Sequence, residues 1–169
     1  MNTITIDFED WFLPKALSNS ISLNYSSKNI RVEEPTKYLL ELFKSKSIFA
    51  VFFVLGCIAE QKPDLIKMVS DYGHEIASHG YSHTQITKQS EKEFERDIEM
   101  SLDTLAKIGF SNIEGYRAPA FSITKDTLWA IDILKKFGIQ YSSSIYPTNL
   151  HKEYGISDIN REIFKHDNR

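Results

Sequence analysis

The sequence predicts an α/β fold, a parallel sheet or barrel with helices packed outside it. Three observations predict it. Five short β-branched or apolar runs alternate with four amphipathic stretches in the order β-α-β-α-β-α-β-α-β, and such alternation calls for parallel neighbours, because each helix carries the chain back across the sheet. The run at 48–54 is apolar throughout, the pattern of a strand covered on both faces. Finally, the residues suited to chemistry fall together: Glu9 and Asp10 close the first predicted strand, His79 the third and Arg117 the fourth. Carboxyl ends of strands are where barrels and open α/β sheets build their sites.

The elements come in chain order. Strands are expected at 3–8, 48–54, 74–78, 113–116 and 141–145. The first helix, 36–46, carries Leu39, Leu40 and Phe43 on one face, with Pro35 near its start. The second, 63–72, opens on Pro63, presents Leu65, Ile66 and Val69 and ends at Gly73. Ser90 and Glu93 form a capping-box pattern ahead of a third helix bearing Phe94, Ile98, Leu102 and Leu105, closed by Gly109. The fourth, 125–137, shows Leu128, Ile131, Ile133 and Leu134 and stops at Gly138. The stretch 11–34, rich in Ser and Asn and without periodicity, reads as a long loop over the same face as the chemical residues.

Composition narrows the function classes. The 169 residues suggest one domain, and 41% hydrophobic with 12% aromatic content supports a real core. A formal charge of −3, without a Lys/Arg stripe, gives no nucleic-acid footprint. The longest apolar run, 48–55, is far below the roughly 20 residues of a membrane span. No secretory signal is visible after Met1, and the single Cys57 forms no internal disulfide, so a reducing, cytoplasmic setting is expected.

The strongest chemical signal is His79-Gly80-Tyr81-Ser82-His83 together with Asp7-Phe8-Glu9-Asp10. Two histidines four apart occur often by chance; the acidic cluster is what makes the pair suggestive. Imidazole nitrogens plus a carboxylate suit a divalent transition metal held for hydrolysis, with positions left open for water and substrate. If the chain turns helical after His79, both imidazoles project to one side with Cβ atoms roughly 5–6 Å apart. Alternation along 74–78 sends His74 to the face opposite His79, a structural position.

These motifs resemble the NodB-homology polysaccharide deacetylases of carbohydrate esterase family four. Asp7-Phe8-Glu9-Asp10-Trp11-Phe12 is similar to the family's first, acidic motif, Ser78 to His83 to its histidine motif, and Gly115-Tyr116-Arg117-Ala118-Pro119-Ala120-Phe121 to its third. The segments 52–56, 73–77 and 143–147 resemble the subgroup found in exopolysaccharide and exosortase gene loci.

The resemblance implies an incomplete (β/α)7-type barrel with about five βα units, residues 1–169 being the N-terminal portion of one deacetylase domain. A full barrel of related type takes about 250 residues, and the family's downstream general acid lies beyond Arg169. His151 and His166 are chance candidates for that role. An open barrel also predicts exposed edges on the first and last strands, and hence self-association.

The implied activity is metal-dependent removal of N-acetyl groups from an N-acetylated sugar of a polysaccharide or glycan precursor. Hydrolysis of a small non-peptide C–N bond, or an inactive carbohydrate-binding remnant, are the alternatives. The implied cofactor is one divalent ion, zinc first, then Co, Ni, Fe or Mn. His79 and His83 are assigned as ligands. The acids leave two assignments open: Glu9 as base with Asp10 as third ligand, which is preferred, or Asp7 as base with Glu9 as ligand. Arg117 orients the base or contacts the substrate. Trp11, Phe12, Tyr116 and Phe121 are candidates to stack on sugar rings, with core packing the competing explanation, and Pro119 shapes the groove beside them.

Overall fold

A computed structural model describes residues 3–11, 30–148, 154–159, 162, 163 and 165. Five parallel strands form one sheet: β1 (Ile4–Phe8), β2 (Ala50–Val54), β3 (Glu75–Ser78), β4 (Gly115–Tyr116) and β5 (Tyr141–Ser142). Their spatial order is β1-β2-β3-β4-β5, the order of the chain, so each connection steps to the next position without reversing. A doubly wound sheet would reverse; a barrel wall does not. The register sets Asp7 beside Phe53 and Ala77, and Ser78 beside Tyr116.

Among the described residues, five α-helices accompany the strands: α1 (Glu33–Ser45), α2 (Gly56–Gln61), α3 (Pro63–Asp71), α4 (Glu91–Lys107) and α5 (Trp129–Lys136). Short 3-10 turns occupy Ile86–Lys88, Pro119–Phe121 and Lys125–Thr127. The period-2 alternation of the strands divides the sheet into two faces. Phe8, Phe52, Ile76 and Tyr116 point to the helices and join Leu40, Phe43, Ile66, Val69, Phe94, Ile98 and Leu105 in the core. Phe8 meets Phe52 at 6.2 Å, and Phe94 of α4 meets Tyr116 edge-on at 5.9 Å. The opposite, concave face carries Thr5, Asp7, Phe53 and Arg117. Arg117, just past β4, hydrogen-bonds Thr5 and Asp7 of β1, so the sheet is curled strongly enough to bring its first and fourth strands together.

Several expected boundaries move. The helix expected at 36–46 begins at Glu33, because Thr36 N–H and Oγ1–H both bond the Val32 carbonyl and close an earlier turn. Helix α2 is not expected from the sequence: its six residues follow directly on the apolar run of the second strand and carry too few turns to show a period. The helix expected at 125–137 splits into a 3-10 turn and α5, since Thr127 Oγ1 bonds the backbone carbonyls of Ser122 and Thr124 and makes a separate cap. The capping box at Ser90 and Glu93 is present, with the Glu93 carboxylate accepting Ser90 N–H at 2.7 Å. β1 and β5 are the sheet's edges among the described residues, with Ile4 and Tyr141 exposed. No helix among the described residues is long and apolar enough to cross a membrane.

His74 takes the structural place expected of it. Its ring lies 5.1 Å from Phe52 and 5.6 Å from Phe43, and Nδ1 accepts Ala50 N–H at 3.2 Å. An accepting Nδ1 requires the proton on Nε2, which is buried without a hydrogen-bond partner. Burial lowers the His74 pKa below the ordinary 6.5. A depressed basic pKa means that the unfolded chain binds the proton more readily. His74's contribution to stability is therefore intact above about pH 6.5 and lost as pH falls below it.

Urea unfolding should show stability declining from about pH 6.5 downward, with His74→Phe making that decline shallower. At higher pH the same variant should cost about 1–3 kcal/mol, because Ala50 N–H loses its acceptor. Thermal unfolding of Ser90→Ala should show a loss of about 1 kcal/mol from the α4 cap.

Candidate active site

The site is built where the strands end. β1 presents Thr5 and Asp7 on one face by simple alternation, and Glu9 follows directly on the strand's end. The hydrogen-bond ladder continues one residue past β3 and β4: His79 N–H bonds Val54 O at 2.8 Å and Arg117 N–H bonds Ser78 O at 2.9 Å, which seats both residues at the rim.

Three side chains converge. One ligating atom each from Glu9, His79 and His83 lies within 4.8 Å of the other two. His79 Nδ1 lies 2.7 Å from the Arg117 carbonyl, which accepts its proton and leaves Nε2 as the free lone pair. Burial lowers the His79 pKa, opposed by the Asp7 charge, so the ring is held neutral, the form that ligates metal. His83 Nε2 approaches Glu9 Oε2 to 2.8 Å. That approach lacks hydrogen-bond geometry, and Glu9 Oε2 is buried with no hydrogen-bond partner.

A buried carboxylate oxygen 2.8 Å from an imidazole nitrogen and without a hydrogen-bond partner is what a cation held between these groups would satisfy. Two nitrogens and one oxygen, with further positions open, fit a divalent transition ion. The histidine spacing brings the rings together by a route other than the expected helix: residues 79–83 form a loop, and His83 is left-handed at φ 58°. The ring centroids stand 5.4 Å apart.

Beside this cluster lies an ion pair between the buried Arg117 and the half-buried Asp7. Arg117 Nη1 donates to Asp7 Oδ1 at 2.7 Å, Nη2 to Thr5 Oγ1 at 2.9 Å and to Ser143 Oγ at 2.8 Å, and Nε to Ser143 O at 3.1 Å. The guanidinium carbon stands 4.2 Å from the Phe53 ring centre, a cation–π contact on a desolvated face. Only a planar, five-donor group could serve all these partners at once. The roles of Thr5 and Ser143 are not expected from the sequence. Thr5 could have been found from its two-residue spacing to Asp7, whereas Ser143 carries no local signal.

Asp10, the ligand of the preferred acidic assignment, is placed apart from the two histidines. Asp10 is buried, but its Oδ1 accepts Trp11 N–H at 2.8 Å and its Oδ2 accepts Arg31 and Val32 N–H at 2.7 and 3.0 Å. Its carboxylate pins the chain ahead of α1 and stays outside the histidine cluster. Glu9, one residue earlier, has the inward parity that Asp10 lacks. The geometry accords with the other assignment, in which Glu9 stands among the ligands and Asp7 beside them.

The aromatic candidates separate as well. Tyr116 is 1% exposed and packs on Phe94, so it is core and cannot meet a sugar. Trp11 is 43% exposed, with the Arg31 guanidinium 5.2 Å from its ring centre. Phe121 is half-buried, 5.4 Å from the Arg117 guanidinium and edge-on to the exposed Tyr146 at 6.0 Å. Pro119 is buried and works through its backbone, its carbonyl accepting Ser122 Oγ–H at 2.7 Å. Phe12, His151 and His166 lie outside the described residues. Cys57 offers no thiolate, since burial and the Asp97 charge push it up to about 12.

The polysaccharide deacetylase family model matches residues 17–142. Among curated proteins, the chain is 31% identical over 100 residues to a peptidoglycan-N-acetylglucosamine deacetylase of Bacillus cereus, covering 59% of this chain and 36% of that one. It is 31% identical over 107 residues to the peptidoglycan deacetylase of Helicobacter pylori, covering 63% and 36%. The chain thus spans about a third of the length of these relatives.

Among solved structures, a family 4 carbohydrate esterase from Streptomyces lividans, in complex with acetate, superposes with a TM-score of 0.57 at 25% identity, over 63% of this chain and 54% of that one. A family 4 pseudoenzyme from Bacillus anthracis superposes with a TM-score of 0.62 at 16% identity, over 83% and 41%. The second likeness speaks to the fold alone. With a family match over well more than half of its length, and with the rim of its curled parallel sheet carrying the acidic, histidine and arginine motifs, the chain belongs to the polysaccharide deacetylase family.

Proposed function

We propose that this chain carries the metal-binding and base-bearing portion of a hydrolase that removes N-acetyl groups from an N-acetylated sugar of a polysaccharide or glycan precursor. The observation that carries the reading is the convergence of Glu9, His79 and His83 beside an Asp7 clamped by Arg117. Glu9, His79 and His83 would hold one divalent ion, zinc being the choice that N/O ligation with an open position favours. Such an ion, when bound, supplies Lewis-acid polarisation and lowers the pKa of water.

The chain's own residues do the rest. Asp7 is the base. Arg117 holds Oδ1 by a charge-assisted bond and leaves Oδ2, which makes no hydrogen bond among the described residues, to take the proton of the attacking water. His79 stays neutral and oriented through its bond to the Arg117 carbonyl, so one residue supports base and ligand together. Trp11, exposed past β1, and Phe121, half-buried beside Arg117, offer faces to the sugar ring. Acetate and a free amine are the products of that hydrolysis.

Elemental analysis should find about one Zn²⁺ per chain after incubation and dialysis. Asp7→Asn should keep that metal while acetate release from an acetylated glycan by the protein falls by about 10²–10⁴. Glu9→Gln should lose the metal, and Asp10→Asn should keep it. If Asp10→Asn loses the ion while Glu9→Gln keeps it, Asp10 is the ligand and this reading of the acids is wrong.

A further inference from the structure

The loop that separates the two histidines is folded around a side chain from a helix. Asp97 of α4 turns its carboxylate into residues 80–82: Oδ2 accepts Tyr81 N–H at 2.8 Å, and Oδ1 accepts Ser82 N–H at 3.1 Å and Ser82 Oγ–H at 2.6 Å. Gly80 sits at φ 79°, and a Cβ there would stand 2.7 Å from Asp97 Oδ2. The glycine is therefore what admits the carboxylate. The loop's carbonyls are taken on the other side, Gly80 O by Gly56 N–H at 2.9 Å and Tyr81 O by Cys57 N–H at 3.2 Å. Helix α4 thus secures the donors of this loop and the start of α2 its acceptors.

What that clamp fixes is the backbone of His83. At φ 58° His83 is in the left-handed region, which residues bearing a Cβ occupy only uncommonly, and such a conformation persists where its surroundings over-determine it. Ser82, the residue held by two of the three Asp97 contacts, immediately precedes it. Were the loop to relax to right-handed backbone, the His83 ring would swing away from Glu9 and His79.

We propose that Asp97 is a positioning residue of the metal centre: by binding the N–H groups of residues 81 and 82 and the Ser82 hydroxyl, its carboxylate holds His83 in the left-handed conformation that aims Nε2 at Glu9 and His79. The inference rests on the metal-centre reading above and extends it to a residue that touches neither ion nor substrate. Supporting partners of metal ligands are commonly worth about 10–100-fold in metal affinity.

The test is Zn²⁺ affinity, measured by competition with a chromophoric chelator, for the unmodified chain and for Asp97→Ala, Asp97→Asn and Asp103→Ala, with circular dichroism and thermal unfolding of each. Asp103, exposed on the same helix, controls for loss of one negative charge. Asp97→Ala should bind Zn²⁺ about 10–100-fold more weakly while remaining folded. Asp97→Asn, which keeps one accepting oxygen, should fall between, and Asp103→Ala should match the unmodified chain. If Asp97→Ala does not fold, Asp97→Asn decides, and unchanged affinity there overturns the proposal. Unchanged affinity in a folded Asp97→Ala, or an equal loss in Asp103→Ala, also overturns it. Failure of the unmodified chain to bind Zn²⁺ would instead remove the metal-centre reading itself, and the positioning role with it.

Discussion

The structure depends on one buried cation. Arg117 leaves β4, crosses the concave face of the sheet and bonds Thr5 and Asp7 on β1 while holding Ser143 beyond β5. It thereby links an edge strand at one end of the sheet to the segment just past the edge strand at the other. Burying a guanidinium costs several kcal/mol unless it is paired and hydrogen-bonded, and removing one partner from such a pair typically costs about 3–5 kcal/mol. The Arg117 carbonyl also meets His79. The residue that ties β1 to the segment past β5 is therefore also the one that holds the Asp7 carboxylate and the first imidazole.

Local rules explain how much of this was legible. The strands and four of the helices were legible from short apolar or β-branched runs and from 3.6-residue periodicity, because these patterns are set within each segment. Ser90 and Glu93 announced α4 because a capping box is a contact within four residues. What escaped the sequence depends on contacts distant in the chain. Asp10 looks like a ligand beside Glu9, and only the return of residues 31 and 32 shows that its oxygens serve backbone amides. Tyr116 looks like a groove aromatic from its place in the Arg117 motif, and only the position of Phe94 shows that strand alternation sends it to the core. The 79–83 loop reads equally well as one helical turn; Asp97, far along the chain, decides against it.

The fold by itself does not decide activity: a pseudoenzyme from Bacillus anthracis shares it. Chemistry is indicated instead by the state of particular atoms. A buried Glu9 oxygen without a hydrogen-bond partner and a His79 lone pair turned toward it would each be costly if the site's only task were structural. Their cost is offset when a cation lies between them, and the Asp7 carboxylate paired with Arg117 is the base of the proposed reading.

On the proposed reading, Glu9, His79 and His83 form the metal site and Asp7 stands outside it as the base. A crystal structure of the Zn²⁺-loaded protein, with the ion located by anomalous scattering, tests this most directly. The account predicts one ion bonded at about 2.0–2.2 Å to a Glu9 oxygen and to Nε2 of both histidines, with Asp7 still held by Arg117. An ion ligated by Asp7 or Asp10 in place of Glu9, or a loaded protein in which the three side chains hold no ion, would contradict it.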